Sequence, residues 1–110
     1  MVKYIPEKGD LVWLEFDPQK GKEIQKKRPA LVISPKEYNQ KSGLAICMPV
    51  TSKIKNYPFE VLILIKKVES AILADQVKSM DWQARQISFI AKLDPFLLFQ
   101  ALSKFKTLID

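Results

Sequence analysis

Histidine is absent from the 110 residues, cysteine occurs once and glycine three times. Without imidazole, Ser-His-Asp triads, His-paired cysteine nucleophiles, zinc sites built on histidine and the two-histidine route to RNA cleavage are excluded. A single cysteine rules out an internal disulfide, and Cys47, between Ile46 and Met48, reads as a buried thiol. Long apolar runs are missing too. The longest, Val61 to Ile65, is far too short to cross a bilayer, and Met1 to Lys8 carries no signal-peptide core. The expected setting is the cytoplasm, with no membrane partner.

What is present describes one domain, residues 1–110, of 47% hydrophobic and 27% charged composition. A chain this size buries roughly two thirds of its unfolded surface, enough for one core but not for a deep cavity. An active site is therefore expected to be shallow or shared between subunits. Eighteen Lys and Arg against twelve Asp and Glu leave a charge of +6, which favours an anionic partner, nucleic acid or an acidic protein segment. Much of that charge sits in Asp17 to Lys27, a stretch with no apolar pair that carries Lys20, Lys22, Lys26 and Lys27 against Asp17 and Glu23. It reads as a long basic loop.

Strands are expected at Leu11 to Phe16, Arg28 to Ser34, Ala45 to Thr51 and Phe59 to Ile65, with weaker ones at Ala71 to Ala74 and Gln86 to Ile90. Ser34-Pro35-Lys36-Glu37 has the form of a cap on one helical turn. Asp94 reads as an N-cap with Pro95 at the first helical position, and Leu98, Leu102, Phe105 and Ile109 follow at helical spacing. Five or six short strands and one amphipathic helix give a mainly β class with added α, a small antiparallel barrel covered by its C-terminal helix.

Gly9-Asp10-Leu11-Val12-Trp13, Phe16-Asp17-Pro18, Gly21-Lys22-Glu23 and Arg28-Pro29-Ala30 follow one another in an order that resembles the start of the MazF/PemK/Kid family of bacterial toxins. The likeness continues through Ser34-Pro35, Tyr38-Asn39, Pro49-Val50-Thr51-Ser52, Tyr57-Pro58-Phe59-Glu60-Val61 and Ala74-Asp75-Gln76-Val77-Lys78-Ser79. It spans Pro6 to about Arg85, and the final helix matches in position and character. The resemblance implies an SH3-like barrel of the CcdB/PemK kind and a homodimer. It further implies metal-independent, cofactor-free cleavage of single-stranded RNA at short sequences, and neutralisation by a cognate antitoxin with an acidic, flexible tail.

Such cleavage proceeds by attack of a 2′-OH on the adjacent phosphorus, giving a 2′,3′-cyclic phosphate and a free 5′-OH. It needs a proton acceptor, a stabiliser of phosphoryl charge and a proton donor for the leaving oxygen. Arg28 suits the second task, because guanidinium is planar, permanently charged and grips two phosphate oxygens; it also matches the arginine that the family carries before this proline. Thr51 matches the family's threonine and is assigned positioning, since a hydroxyl is too weak an acid to serve as an unaided base. Glu23 is the first choice of base. Asp75 is the second, on the likeness to plasmid-borne relatives, which carry an arginine where this chain has Leu73. Lys27, where a chromosomal type has histidine, joins Ser52, Lys53, Asp75, Gln76 and Lys78 as substrate-binding. Phe16, Trp13, Tyr57 and Trp82 are candidate stacking faces for an unpaired base.

Each residue also has a plain structural role. Arg28 reads as an exposed ion-pair member, Thr51 as a β-branched strand residue and the lysines as a solvated loop. Trp13 and Trp82 read as core or interface, Asp75 as a turn anchor through its own backbone, and Glu60 as a cross-strand ion-pair residue. Two whole-chain alternatives stand beside the ribonuclease. One is a non-catalytic RNA- or peptide-binding barrel. The other is a gyrase poison on the same barrel, although those toxins rely on a C-terminal Trp-Gly-Ile and this chain ends Thr107-Leu108-Ile109-Asp110.

Overall fold

A computed structural model describes residues 3–15 and 27–110. The elements are β1 (Asp10–Glu15), β2 (Lys27–Val32), α1 (Lys36–Ser42), β3 (Leu44–Thr51), β4 (Glu60–Ile65), β5 (Val68–Leu73), β6 (Lys78–Asp81), β7 (Ser88–Lys92) and α2 (Pro95–Lys106). All strand pairs are antiparallel, in the order β4-β5-β3-β2-β1-β7 with β6 also on β3. The sheet curls into a half-barrel whose edge strands are β4 and β7, and α2 packs on the apolar surface between them. This is the small antiparallel barrel with a C-terminal helix that the pattern implies.

β1 to β3 read as near-continuous apolar runs because both of their faces are covered. One face joins Leu11, Leu31, Met48 and Val50 to Val61, Ile63, Ile65 and Ile72, and α2 seals it with Leu97, Leu98, Ala101 and Phe105. The alternate residues, Val12, Leu14, Ala30, Val32 and Cys47, pack with Met80 and Trp82. Cys47 is fully buried, as expected, and burial pushes its thiol up to about 12. Trp82 is no stacking platform: it is buried and its indole N–H donates to the Asn39 carbonyl at 3.0 Å.

Several local expectations are corrected. Ser34 does not cap α1; its hydroxyl donates to the Asn39 side chain at 2.5 Å and accepts from the Ile46 N–H at 2.8 Å. Asn39 is fully buried and donates to the carbonyls of Pro6 and Ser34, so this pair ties the N-terminal segment to the helix. Asp94 does cap α2, accepting from Phe96 N–H at 2.8 Å, but the helix ends at Lys106. Ile109 lies beyond it and is exposed, and Leu97 and Ala101, rather than Leu102, complete the inward face. The weak strand at Ala71 to Ala74 begins earlier, at Val68, and Lys78–Asp81 forms a strand where none was expected.

Candidate active site

The site forms where β3 changes neighbours. Along one side β3 pairs with β6 from Leu44 to Cys47, then with β5 at Val50 and Thr51. Across from them β2 runs in the register Val32↔Cys47, Leu31↔Met48, Ala30↔Pro49. Continued two residues, that register sets Arg28 across from Thr51. Strand alternation puts both on the same face as Ala30 and Pro49. The β2-β3 ladder stops at Pro49, which has no N–H to donate, and a groove lies beside this end of the two strands.

The groove is about 440 Å³ and is lined by Arg28, Pro49, Val50, Thr51, Leu73, Gln76 and Lys78. Arg28, the second residue of β2, and Lys78, the first of β6, are exposed cations, and Gln76 adds an amide from the turn between β5 and β6. Thr51 Oγ1 accepts the Lys53 N–H at 3.1 Å, which fixes the hydroxyl and leaves its own proton to donate. A second groove, of about 290 Å³, shares Thr51, Leu73 and Gln76 and extends to Lys53, Lys55, Tyr57 and Glu60. Together the two bring four cations round one threonine.

Not every expected site residue joins them. Lys27 alternates with Arg28 along β2 and so faces away, and Ser52 lies just past the end of β3. Ser52 lines a separate depression on the other side of the sheet with Trp13, Pro29 and Lys66. Glu23, Phe16 and the lysines at 20, 22 and 26 lie outside the described residues. Asp75 anchors no turn through its own backbone among the described residues; its Oδ2 accepts the Tyr57 hydroxyl at 2.5 Å, and this bond, before burial, raises the Tyr57 pKa. Its Oδ1 is buried with no hydrogen-bond partner among the described residues.

Glu60 corrects a further expectation. It is buried, and instead of pairing across the strands its carboxylate accepts the backbone N–H groups of Lys55, at 3.1 Å, and Tyr57, at 3.3 Å. It therefore shapes the 52–59 segment that walls the second groove. Tyr57-Pro58-Phe59-Glu60-Val61 was legible as a motif, but nothing in its composition announced an acid turned onto its own loop.

Comparison with known proteins matches this arrangement along almost the whole chain. Residues 7–109 match the family model described as PemK-like, MazF-like toxin of type II toxin-antitoxin system. Over 83 residues, 76% of this chain and 75% of the relative, the sequence is 49% identical to the endoribonuclease toxin MazF of Escherichia coli K12. The crystal structure of MazF from Deinococcus radiodurans superposes with a TM-score of 0.86 at 42% identity, covering 97% of this chain and 98% of that one. A MazE-MazF crystal structure from the same organism superposes with a TM-score of 0.88 at 42% identity, covering 97% of each chain. The match includes α2, so the likeness seen in the residue blocks up to Arg85 extends through the final helix. The chain belongs to the PemK-like, MazF-like toxins of type II toxin-antitoxin systems.

Proposed function

We propose that the chain is an endoribonuclease toxin that cuts single-stranded RNA at the groove between Arg28 and Thr51, by 2′-OH attack and without a divalent ion. The observation that carries this reading is the shared groove: a guanidinium, a lysine ammonium and a preset hydroxyl converge on a volume open to a phosphodiester. The naming of family members as endoribonucleases supports the activity.

In this mechanism Arg28 holds two non-bridging phosphoryl oxygens and gains strength as charge builds in the transition state. The Thr51 hydroxyl, fixed by the Lys53 N–H, donates to one of these oxygens and sets the attacking ribose in line. Lys78 and Lys53 hold flanking phosphates, and Gln76 reaches a base edge. Glu23 remains the proposed proton acceptor. Asp75, bonded to Tyr57, is assigned a supporting role at the groove wall.

The proposed partners are single-stranded RNA and an antitoxin whose acidic tail competes for the same cations; solved relatives include MazE-MazF complexes. Homodimerisation is proposed through β4 and α2, whose outward residues Leu62, Leu64, Phe96 and Phe99 are 56 to 66% exposed. Cytoplasmic location is proposed on the same family grounds; no helix among the described residues is long and apolar enough to cross a membrane.

The decisive assay incubates the protein with a long, chaperone-melted RNA in EDTA and analyses the ends. Fragments with 2′,3′-cyclic phosphate and 5′-OH ends are expected. Salt-sensitive binding with no scission would leave a binding barrel instead, and cleavage that stops in EDTA would overturn the metal-free route.

A further inference from the structure

We propose that Tyr57 is the stacking platform for one unpaired nucleobase, held in place by Glu60 and Asp75 beside the Arg28 and Thr51 groove. The proposal rests on the ribonuclease reading and adds a base subsite to it. Tyr38, Phe89, Phe96 and Phe99 are also exposed, yet among the described residues only Tyr57 of this set lines a groove shared with Thr51.

Tyr57 is held at three points, two on its ring and one on its backbone. The hydroxyl donates to Asp75 Oδ2 at 2.5 Å, the backbone N–H donates to Glu60 Oε1 at 3.3 Å, and Phe59 supports the ring at a centroid distance of 6.0 Å and a tilt of 53°. The supporting backbone is fixed as well, since Pro58 accepts from Lys104 Nζ at 2.5 Å and Phe59 accepts from the Ala74 N–H at 3.0 Å. Tethering the ring removes the ordering cost that a free side chain would lose on binding. Lys53 and Lys55 flank the ring in the same groove, the combination of cations and a π-face that binds a single strand without needing hydrogen bonds to the base. Glu60 and Asp75 act here as positioning residues, through Tyr57.

The test uses an all-deoxy analogue of the cleaved RNA segment, which lacks the attacking hydroxyl, with 2-aminopurine placed at successive positions. Wild-type protein is expected to quench one position strongly. Tyr57→Ala should lose that quench and raise Kd roughly 5- to 150-fold, the range for removing one base-aromatic stack. Tyr57→Phe keeps the ring and should recover most of the affinity. In cleavage of the RNA itself the Tyr57→Ala loss should fall on KM, with kcat nearly kept, and Glu60→Gln should move in the same direction. Unchanged Kd in Tyr57→Ala overturns the proposal while leaving the ribonuclease reading intact. So does a loss confined to binding of an acidic peptide, which would reassign the surface to a protein partner. Quench scanning of the wild-type protein decides the matter even if Tyr57→Ala is unstable: no position quenched contradicts the stack. A wild-type protein that neither binds nor cuts overturns both readings.

Discussion

At the scale of single residues, chemistry was legible wherever a residue type has few substitutes. With only Arg28 and Arg85 as arginines, and no histidine, the guanidinium before Pro29 stood out before any geometry was known. Thr51 is singled out by the family pattern; alone it is an ordinary strand threonine. What could not be read was direction. Ser52 and Lys27 look as suitable as their neighbours in the sequence, yet strand alternation turns Lys27 away and Ser52, past the end of β3, lines another depression. Glu60 was misread because an acid among apolar residues suggests a cross-strand partner, whereas its carboxylate caps two amides of its own loop. The role given to Thr51 makes a sharp distinction between isosteres. Thr51→Val, which keeps the shape and removes the donor, should slow single-turnover cleavage by about 10²-fold, the scale of losing one transition-state hydrogen bond. Thr51→Ser should retain most activity, and equal rates in the two variants would assign Thr51 a packing role.

At the scale of elements, the strands with alternating or continuous apolar residues were found, and the turns were not. The β4-β5 hairpin closes on Lys66 and Lys67, both at positive φ, 48° and 70°, with Ile65 paired to Val68. This is a two-residue turn that normally signals itself by Asn-Gly, and two lysines carry no such signal. Left-handed backbone costs an ordinary L-residue about 1–2 kcal/mol, so replacing the pair by Asn-Gly should raise stability by about 1 kcal/mol in urea unfolding. No change in midpoint would mean the strain is absorbed elsewhere. Short β6 escaped notice because only Met80 of its four residues is buried.

A second element-scale expectation concerns how the N-terminal segment is pinned to β1 and β7. Lys92 reaches Asp10 at 2.6 Å and Glu7 at 3.2 Å, and the Tyr4 hydroxyl donates to Asp10. Burial alone would lower the Lys92 pKa, but hydrogen bonds to Asp10 and Glu7 outweigh it and the net shift is upward. Tyr4 is raised as well, first by burial and then by Asp10. Both groups hold their protons more tightly folded than unfolded. Their contribution is therefore complete below the unfolded values, near pH 10, and is lost as pH rises through the folded ones. The urea midpoint should be insensitive to this cluster between pH 7 and 9 and fall from pH 10 upward. Tyr4→Phe should flatten that fall; an unaltered slope would show that the cluster does not titrate as described.

At the scale of the whole molecule, the apolar residues left outside explain more than those inside. Leu62 and Leu64 alternate outward along an edge strand whose inward residues are buried, and Phe96 and Phe99 stand out from α2. An edge strand carrying exposed leucines invites pairing unless a partner covers it. Light scattering at micromolar concentration should give a dimer, and Leu64→Glu should shift it toward monomer; a wild-type monomer would count against a groove shared between subunits. The net charge of +6 acts at the same scale, by drawing a polyanion to a face where cations ring the site.

The most direct measurement is a double-mutant cycle on the single-turnover rate of RNA cleavage in EDTA, with Arg28→Ala, Thr51→Val and the pair. If both side chains act on one phosphate, each single variant should lose about 10²- to 10³-fold, and the double variant should lose little more than the worse single one. Losses that multiply would place the two groups at independent tasks, and full activity in Arg28→Ala would contradict the site itself.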